Sequence, residues 1–120
     1  MHEMSIVMRL VDIAADHAKR SNAKKVDKVI VQVGELTGAV PSYLEMFYPA
    51  VVEGTILDGS ELVVETVEAL VFCKDCGRTY NPVKEPDMKC PVCTSQKCDV
   101  IEGNGILVKC IVIADEEVVA

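Results

Sequence analysis

Four cysteines are arranged as two Cys-x-x-Cys pairs in the middle of the chain. Cys73 and Cys76 form the first pair, and Cys90 and Cys93 follow after thirteen intervening residues. Two residues between cysteines allow a tight turn to direct both sulfurs at one ion. Two such turns supply the four thiolates that Zn²⁺ takes in tetrahedral structural sites, at about 2.3 Å. Because four protein ligands leave no position for a substrate, this spacing predicts a structural zinc site.

Other states of these four cysteines remain open at this point: two disulfides, four free thiols, or a single iron as in rubredoxins. The N-terminus has no basic region followed by an apolar signal core, and no run approaches the ~20 apolar residues of a membrane span. These features predict a cytoplasmic protein without a membrane partner. Thiols stay reduced in that compartment, so six cysteines favour metal over disulfides.

The first residues, Met1, His2 and Glu3, form a second candidate metal site. The amine of Met1, the backbone nitrogen of His2 and the nearer ring nitrogen of His2 can close two chelate rings on one metal. The backbone nitrogen must lose its proton, which Ni²⁺ and Cu²⁺ promote, and tetragonal nitrogen coordination favours those two metals. The backbone nitrogen of Glu3 is able to complete the plane. The alternative is an ordinary solvated histidine near a terminus.

Two helices are predicted upstream of the cysteine pairs. Residues 5–20 carry apolar side chains at helical spacing, which predicts an amphipathic helix. The members of this stripe are Val7, Leu10, Val11, Ala14 and Ala18. Pro41 suits the first turn of a second helix, and Pro49 predicts a kink or a break within it.

Three stretches rich in β-branched residues predict strands, at Val26–Glu35, Glu61–Phe72 and Ile106–Ile113. In the first of these, Val29, Val31 and Val33 alternate on one face. The last stretch is apolar on both faces, which predicts a central strand covered on both sides. The acidic tail 115–117 is expected to fray.

These elements predict an α+β fold. The chain has 120 residues, enough for one compact unit or two small lobes. We expect a small three-stranded sheet covered by two helices, with a zinc-ribbon-like lobe inserted between the second and third strands. The predicted domains are an α/β domain at residues 1–71 plus 106–120, which carries the N-terminal site, and a zinc-binding domain at 72–105.

Charge narrows the range of partners. The net charge of −7 argues against a nucleic-acid partner. No Lys or Arg occurs between Val29 and Cys73, whereas that block carries seven carboxylates. The block is either a solvated face or a docking face for a basic partner.

No nucleophile motif, phosphate-binding loop or open zinc site is found, so an enzyme is not expected. Two other classes remain as alternatives. A zinc-ribbon module that binds a protein or nucleic acid would present a basic ribbon, and the segment around the cysteines is mildly basic. A thiol redox enzyme would need an exposed, reactive Cys-x-x-Cys pair.

The other side chains of types that can bind metals are interpreted as structural residues. His17 is expected to be packed or solvated, with an auxiliary nickel contact as the alternative. Cys98 is expected to be a spare thiol, although it could replace a zinc ligand. Cys110 is expected to be a buried core thiol. Core positions are also expected for Met4, Met8 and Met46.

Four segments together resemble the HypA/HybF family, the nickel metallochaperones of nickel–iron hydrogenase maturation. They are residues 1–5 (Met-His-Glu-Met-Ser), 33–38 (Val-Gly-Glu-Leu-Thr-Gly), 53–55 (Glu-Gly-Thr) and the two cysteine pairs. The resemblance covers nearly the whole chain. It implies that Met1, His2 and Glu3 bind nickel, which makes the α/β domain the nickel-binding domain.

The resemblance also implies that Cys73, Cys76, Cys90 and Cys93 are zinc ligands. It implies two partners, the GTPase HypB and the hydrogenase large-subunit precursor, with urease maturation as another destination. A homodimer is a further candidate assembly. Some family members have an Asp near nickel in the loop before the second helix. This chain has Ala39-Val40-Pro41 there, so that ligand is not carried over.

Overall fold

The computed structural model describes residues 3–113 and the backbone of 116–119. These residues cluster into two compact units. The first contains residues 3–32, 39–65 and 107–113 together with 116–119, and the second contains Val33–Gly38 and Thr66–Ile106. No helix in the described ranges has the length and apolar character needed to cross a membrane.

Helix α1 spans Glu3–Arg20 and begins two residues earlier than predicted. All five residues of the predicted apolar stripe are buried, so the amphipathic pattern is confirmed. Glu3 in the first turn and Lys19 and Arg20 in the last turn complement the helix dipole. The prediction for the methionines is wrong, because Met4, Met8 and Met46 are 39%, 54% and 63% exposed. The methionines of α1 lie beside the buried stripe and not on it.

Helix α2 spans Pro41–Val52 and starts at the predicted proline. It buries Leu44, Tyr48 and Val52 and packs against α1. The predicted break at Pro49 does not occur, since the helix continues through it. Pro49 has no backbone N–H, so the carbonyl of Glu45 lacks its usual helical donor. Both residues lie on the exposed face of the helix. Water can satisfy that carbonyl, which makes an interior proline tolerable at this position.

Seven strands are present in the described ranges: β1 Lys28–Gly34, β2 Glu61–Val67, β3 Leu70–Cys73, β4 Thr79–Tyr80, β5 Cys98–Glu102, β6 Ile106–Ile113 and β7 Glu116–Val119. One sheet has four strands in the order β2-β1-β6-β7. Val29, Val31 and Val33 are buried on one face of β1, as predicted. The interior position of β6 confirms that the apolar strand is central. The prediction that both of its faces are covered is wrong in the first half of the strand, where Leu107 is 51% exposed and Lys109 is also exposed.

The α+β class is confirmed, but the prediction of a three-stranded sheet is wrong. The fourth strand is β7, which pairs antiparallel with β6 from Ile113↔Glu116 to Cys110↔Val119. Glu116 and Glu117 therefore belong to a strand and do not fray, while Asp115 lies outside the described residues. Pairing with β7 supplies hydrogen bonds to an edge of β6 that would otherwise present unpaired backbone groups.

The predicted single strand Glu61–Phe72 is also wrong, because it divides between two sheets. Strand β2 ends at Val67, and β3 begins at Leu70 in a separate sheet of order β4-β3-β5. Between them, the backbone N–H of Ala69 donates to Glu35 Oε1 at 2.9 Å, and not to a strand partner. A carboxylate distant in sequence thus interrupts a continuous β-forming stretch.

The second unit is built around β3. Strands β4 and β5 pair with it antiparallel on its two sides. Val71, Cys73, Tyr80 and Cys90 form its buried cluster, and Leu36 and Cys98 pack against that cluster. Two of the four cysteines of the Cys-x-x-Cys pairs therefore belong to the core of this unit.

Candidate metal centre

The two Cys-x-x-Cys segments adopt the same backbone turn. In the first, Gly77 N–H donates to the Cys73 carbonyl at 2.9 Å, and Cys73 N–H donates to the Arg78 carbonyl at 2.7 Å. In the second, Thr94 N–H donates to the Cys90 carbonyl at 2.9 Å, and Cys90 N–H donates to the carbonyl five residues onward at 3.0 Å. Two equivalent turns thus present one cysteine pair each.

Both turns need a left-handed residue directly after the second cysteine. Gly77 has φ 80°, as its position after the first pair suggested, and glycine adopts this conformation at no steric cost. Thr94 occupies the corresponding position of the second turn with φ 60°, which is uncommon for a β-branched residue. The Ser95 hydroxyl donates to the Asp75 carboxylate and so links the second turn to the first.

The four sulfurs of Cys73, Cys76, Cys90 and Cys93 all lie within 4.8 Å of one another. Cys73 and Cys93 Sγ are 3.5 Å apart, and Cys76 and Cys90 Sγ are 3.6 Å apart. A tetrahedral zinc with bonds of about 2.3 Å would separate its sulfurs by about 3.8 Å. A disulfide needs about 2.05 Å, so neither of these sulfur pairs is disulfide-bonded. The donor set therefore fits one tetrahedral, thiophilic ion.

The crowded thiols differ in their acidity. Hydrogen bonds from the backbone N–H groups, first that of Cys93, lower the pKa of Cys90 to about 7. The backbone N–H of Ser95 lowers the pKa of Cys93, but the Cys73 thiol and burial outweigh it and raise this pKa to about 12. The pKa of Cys76 is also raised, because burial and neighbouring thiols outweigh the backbone N–H of Arg78. Four thiolates cannot coexist here unless a cation replaces their protons.

Glu35 is a structural residue of this unit that sequence reasoning did not identify. Its Oε1 accepts hydrogen bonds from the Ala69 N–H at 2.9 Å and from Asn81 Nδ2 at 3.0 Å. These two bonds, in that order, lower the pKa of Glu35, and the charge of Lys84 adds to them. The carboxylate thus fastens segment 33–38 to the start of β3 and to the residue after β4. Glu35 lies in the segment Val-Gly-Glu-Leu-Thr-Gly, and the family resemblance of that segment was the one sequence feature that pointed to this residue.

The predicted N-terminal site falls mostly outside the described residues, which exclude Met1 and His2. Glu3 is described and is the first residue of α1. His17 lies in the last turn of the same helix and is half-buried, consistent with the structural interpretation. Cys110 is buried in β6, which confirms the expected core thiol. Cys98 is half-buried and stands outside the group of four sulfurs.

Comparison with known proteins gives one consistent result. The family model described as "Hydrogenase/urease nickel incorporation, metallochaperone, hypA" matches residues 1–113. Hydrogenase maturation factor HypA of Aquifex aeolicus is 38% identical over 109 residues, covering 91% of this chain and 94% of that protein. The factor of the same name from Chlorobium limicola is 33% identical over 115 residues, covering 96% of this chain and 98% of its own length.

A solved structure agrees with these sequence matches. The solution structure of the Ni metallochaperone HypA from Helicobacter pylori superposes with a TM-score of 0.70 at 25% identity, covering 97% of this chain and 100% of that one. Its fold is thus shared over nearly the whole length. Since the family model spans residues 1–113 and both relatives exceed 30% identity over nine-tenths of the sequence, the chain belongs to the HypA family.

Proposed function

We propose that this protein is a nickel metallochaperone for hydrogenase maturation, which carries Ni²⁺ as cargo and holds a structural Zn²⁺. The observation that carries the proposal is the family match over residues 1–113, since that family is described by nickel incorporation into hydrogenase and urease. The protein works by binding and transfer, without catalytic turnover of its own.

Nickel binds through the amine of Met1, the backbone nitrogen and imidazole of His2, and the backbone nitrogen of Glu3. The position of Glu3 in the first turn of α1 supports this assignment. The first four N–H groups of a helix have no intrahelical acceptor. Ligation by the Glu3 nitrogen therefore breaks no hydrogen bond of the helix. A chelate with a single side-chain donor is also suited to release by stepwise ligand exchange.

Zinc binds to Cys73, Cys76, Cys90 and Cys93 and shapes the second unit. Cys73 and Cys90 supply both ligands and core side chains, which couples metal binding to folding of the unit. Structural zinc sites of this kind contribute about 10–16 kcal/mol of apparent folding free energy. The domains proposed from the sequence are a nickel-binding α/β domain at 1–71 plus 106–120 and a zinc-binding domain at 72–105. They differ from the two compact units in that residues 33–38, 66–71 and 106 cluster with the second unit.

The partners proposed here follow from the family. They are the GTPase HypB and the hydrogenase large-subunit precursor in the cytoplasm, with a homodimer as a further assembly and urease as another destination. Neither a membrane nor a nucleic acid is a proposed partner. The net charge of −7 argues against binding to a nucleic acid.

Nickel titration of the untagged protein tests the cargo site. His2→Ala removes the imidazole and one chelate ring, so nickel affinity should fall at least about tenfold, or ~1.4 kcal/mol. The matched control is His17→Ala, which removes the other histidine, near the far end of α1, and should leave affinity unchanged. An extension of the N-terminus should weaken binding as well, because it removes the free amine. Equal affinity and equal spectra for His2→Ala and wild type would rule out the site.

A further inference from the structure

Cys98 lies directly opposite Cys73 in the sheet of the second unit. Strands β3 and β5 run antiparallel, and Cys73 and Cys98 are register partners. The neighbouring Lys74 N–H donates to the Lys97 carbonyl at 3.0 Å, whereas Cys73 N–H donates away from β5 to the Arg78 carbonyl. Cys73 and Cys98 therefore form a non-hydrogen-bonded pair, whose Cα atoms are typically about 4.5 Å apart with side chains on the same face. A disulfide spans Cα separations of about 4.4–6.8 Å.

The two thiols differ in their access to solvent. Cys73 is buried, and Cys98 is half-buried. Cys98 lines a groove of about 300 Å³ within the second unit, together with apolar side chains that include Leu36, Met88 and Val100. A small molecule in this groove can reach Cys98 without first displacing the sulfur cluster.

A buried hydroxyl stands beside the same thiol. Tyr80 is only 7% exposed, and its hydroxyl has no hydrogen-bond partner among the residues that the structure describes. Cys98 packs against the buried cluster that contains Tyr80, and an ordinary tyrosine hydroxyl keeps its proton at neutral pH. An O–H donor next to a sulfur stabilises that sulfur when it carries negative charge, as it does during thiol exchange.

We propose that Cys98 is a redox modification site, where a low-molecular-weight disulfide reacts and from which a Cys73–Cys98 disulfide forms at the expense of one zinc ligand. The proposal rests on the zinc ligation of Cys73 proposed above. It gives the zinc-binding domain a means of losing its metal under disulfide stress, through a thiol that the tetrahedral site does not use.

The chemistry balances in two exchange steps. The Cys98 thiolate attacks a disulfide RSSR, so that a Cys98–S–SR bond forms and one RS⁻ leaves. The Cys73 thiolate, which would otherwise hold the zinc, then attacks the Cys98 sulfur, so that the Cys73–Cys98 disulfide forms and a second RS⁻ leaves. Two protein thiolates lose two electrons in total, and RSSR accepts both. Only Cys76, Cys90 and Cys93 would then be left to hold zinc, and a chelator would remove it.

Zinc release from the full-length protein tests this proposal, with oxidised glutathione as the probe and a chromogenic zinc chelator as the reporter. Wild type should release zinc, and mass spectrometry of non-reduced peptides should show the Cys73–Cys98 disulfide. Cys98→Ser should slow zinc release at least about tenfold. This is a small factor for the loss of a well-oriented intramolecular reaction, whose effective molarity is high. Val100→Ser is the matched control, since it alters the same strand face and groove but keeps both thiols.

The outcomes separate this proposal from the zinc assignment on which it rests. Metal analysis before oxidation tests the assignment alone: one zinc per chain in wild type, Cys98→Ser and Val100→Ser supports it, and its absence from reduced wild type contradicts it. Zinc-loaded protein that forms only Cys73–Cys76 or Cys90–Cys93 disulfides would overturn the proposal. Equal release rates from wild type and Cys98→Ser would overturn it as well.

Discussion

Gly34, at the end of β1, lies against the backbone of Gly103, and an alanine in its place should destabilise the second unit. A Cβ on Gly34 would stand 2.3 Å from both the carbonyl carbon and the carbonyl oxygen of Gly103. Two hydrogen bonds hold the segments at this distance, from Gly34 N–H to the Gly105 carbonyl at 2.8 Å and from Leu36 N–H to the Gly103 carbonyl at 2.7 Å. Backbone atoms cannot rotate away as a flexible side chain can.

The expected loss follows from this geometry. An ordinary carbon contact is 3.4 Å or more, so the Gly103 carbonyl must retreat by about 1 Å. That shift takes both hydrogen bonds beyond useful length, at a net cost of about 1 kcal/mol each. Residual overpacking adds about 1–3 kcal/mol. We therefore expect Gly34→Ala to lower the free energy of unfolding by about 3–5 kcal/mol.

Urea denaturation of the zinc-loaded protein, followed by circular dichroism, measures this loss, and hydrogen exchange at the Leu36 amide locates it. Gly105→Ala is the matched control, because a Cβ there meets nothing within 4 Å and the residue has no positive φ. Its effect should stay within about 0.5 kcal/mol. The reasoning would be refuted if Gly34→Ala matched Gly105→Ala, with unchanged exchange at Leu36.

Two other variants test buried or charged polar contacts. Tyr48→Phe removes the 2.6 Å hydrogen bond between the Tyr48 hydroxyl and Ser60 Oγ, which should cost about 1 kcal/mol in urea unfolding; no loss would mean that water replaces the hydroxyl. The Ala69 N–H and the Asn81 amide lower the pKa of Glu35, so the stability from its ionised form is present above the ordinary value of 4.5 and is lost as pH falls through the lower folded pKa. Glu35→Gln should therefore flatten the acid side of the stability profile relative to wild type, and parallel profiles would contradict this.

Local periodicity was enough to predict the helices and the central strand. The buried stripe of α1 and the alternating valines of β1 depend on neighbours three, four or two positions away, which the sequence displays directly. The turn after Cys76 was also predictable, because a glycine there signals the left-handed conformation. Pro49 also acts locally, since whether an interior proline breaks the helix depends on whether water can reach the carbonyl four residues earlier.

The errors arose where distant segments decide local structure. Nothing within 61–72 marks an interruption, because the group that takes the Ala69 N–H from the ladder is Glu35, 34 residues away. Likewise, β7 forms because β6 offers it an edge, and a short acidic tail carries little strand propensity of its own. Such contacts are not visible in any window of the sequence.

The candidate zinc site also combines features that the sequence displays locally with features that depend on distant segments. Its four cysteines were predictable from spacing, since the geometry of each turn is local. The relation of Cys98 to Cys73 was not, because it depends on the register of β5 on β3, and a shift of one residue would move Cys98 to the other face. A thiol expected to be spare is therefore a candidate reactive group only once the pairing is known.

The proposed function requires two metals to occupy one chain without exchanging places, and ligand type provides the separation. Ni²⁺ is not intrinsically weaker than Zn²⁺ toward a given set of ligands, so affinity alone would not keep it out of a thiolate cage. Zn²⁺ has no geometric preference from its d electrons and accepts the compact tetrahedron of sulfurs, in which the four Sγ atoms lie within 4.8 Å of one another. Ni²⁺ promotes deprotonation of a backbone nitrogen and Zn²⁺ does so poorly, so the proposed N-terminal chelate would select Ni²⁺ as cargo. In the proposed assignment, zinc has four cysteine ligands and stays with the fold, whereas nickel has a single side-chain ligand, an imidazole, and remains transferable.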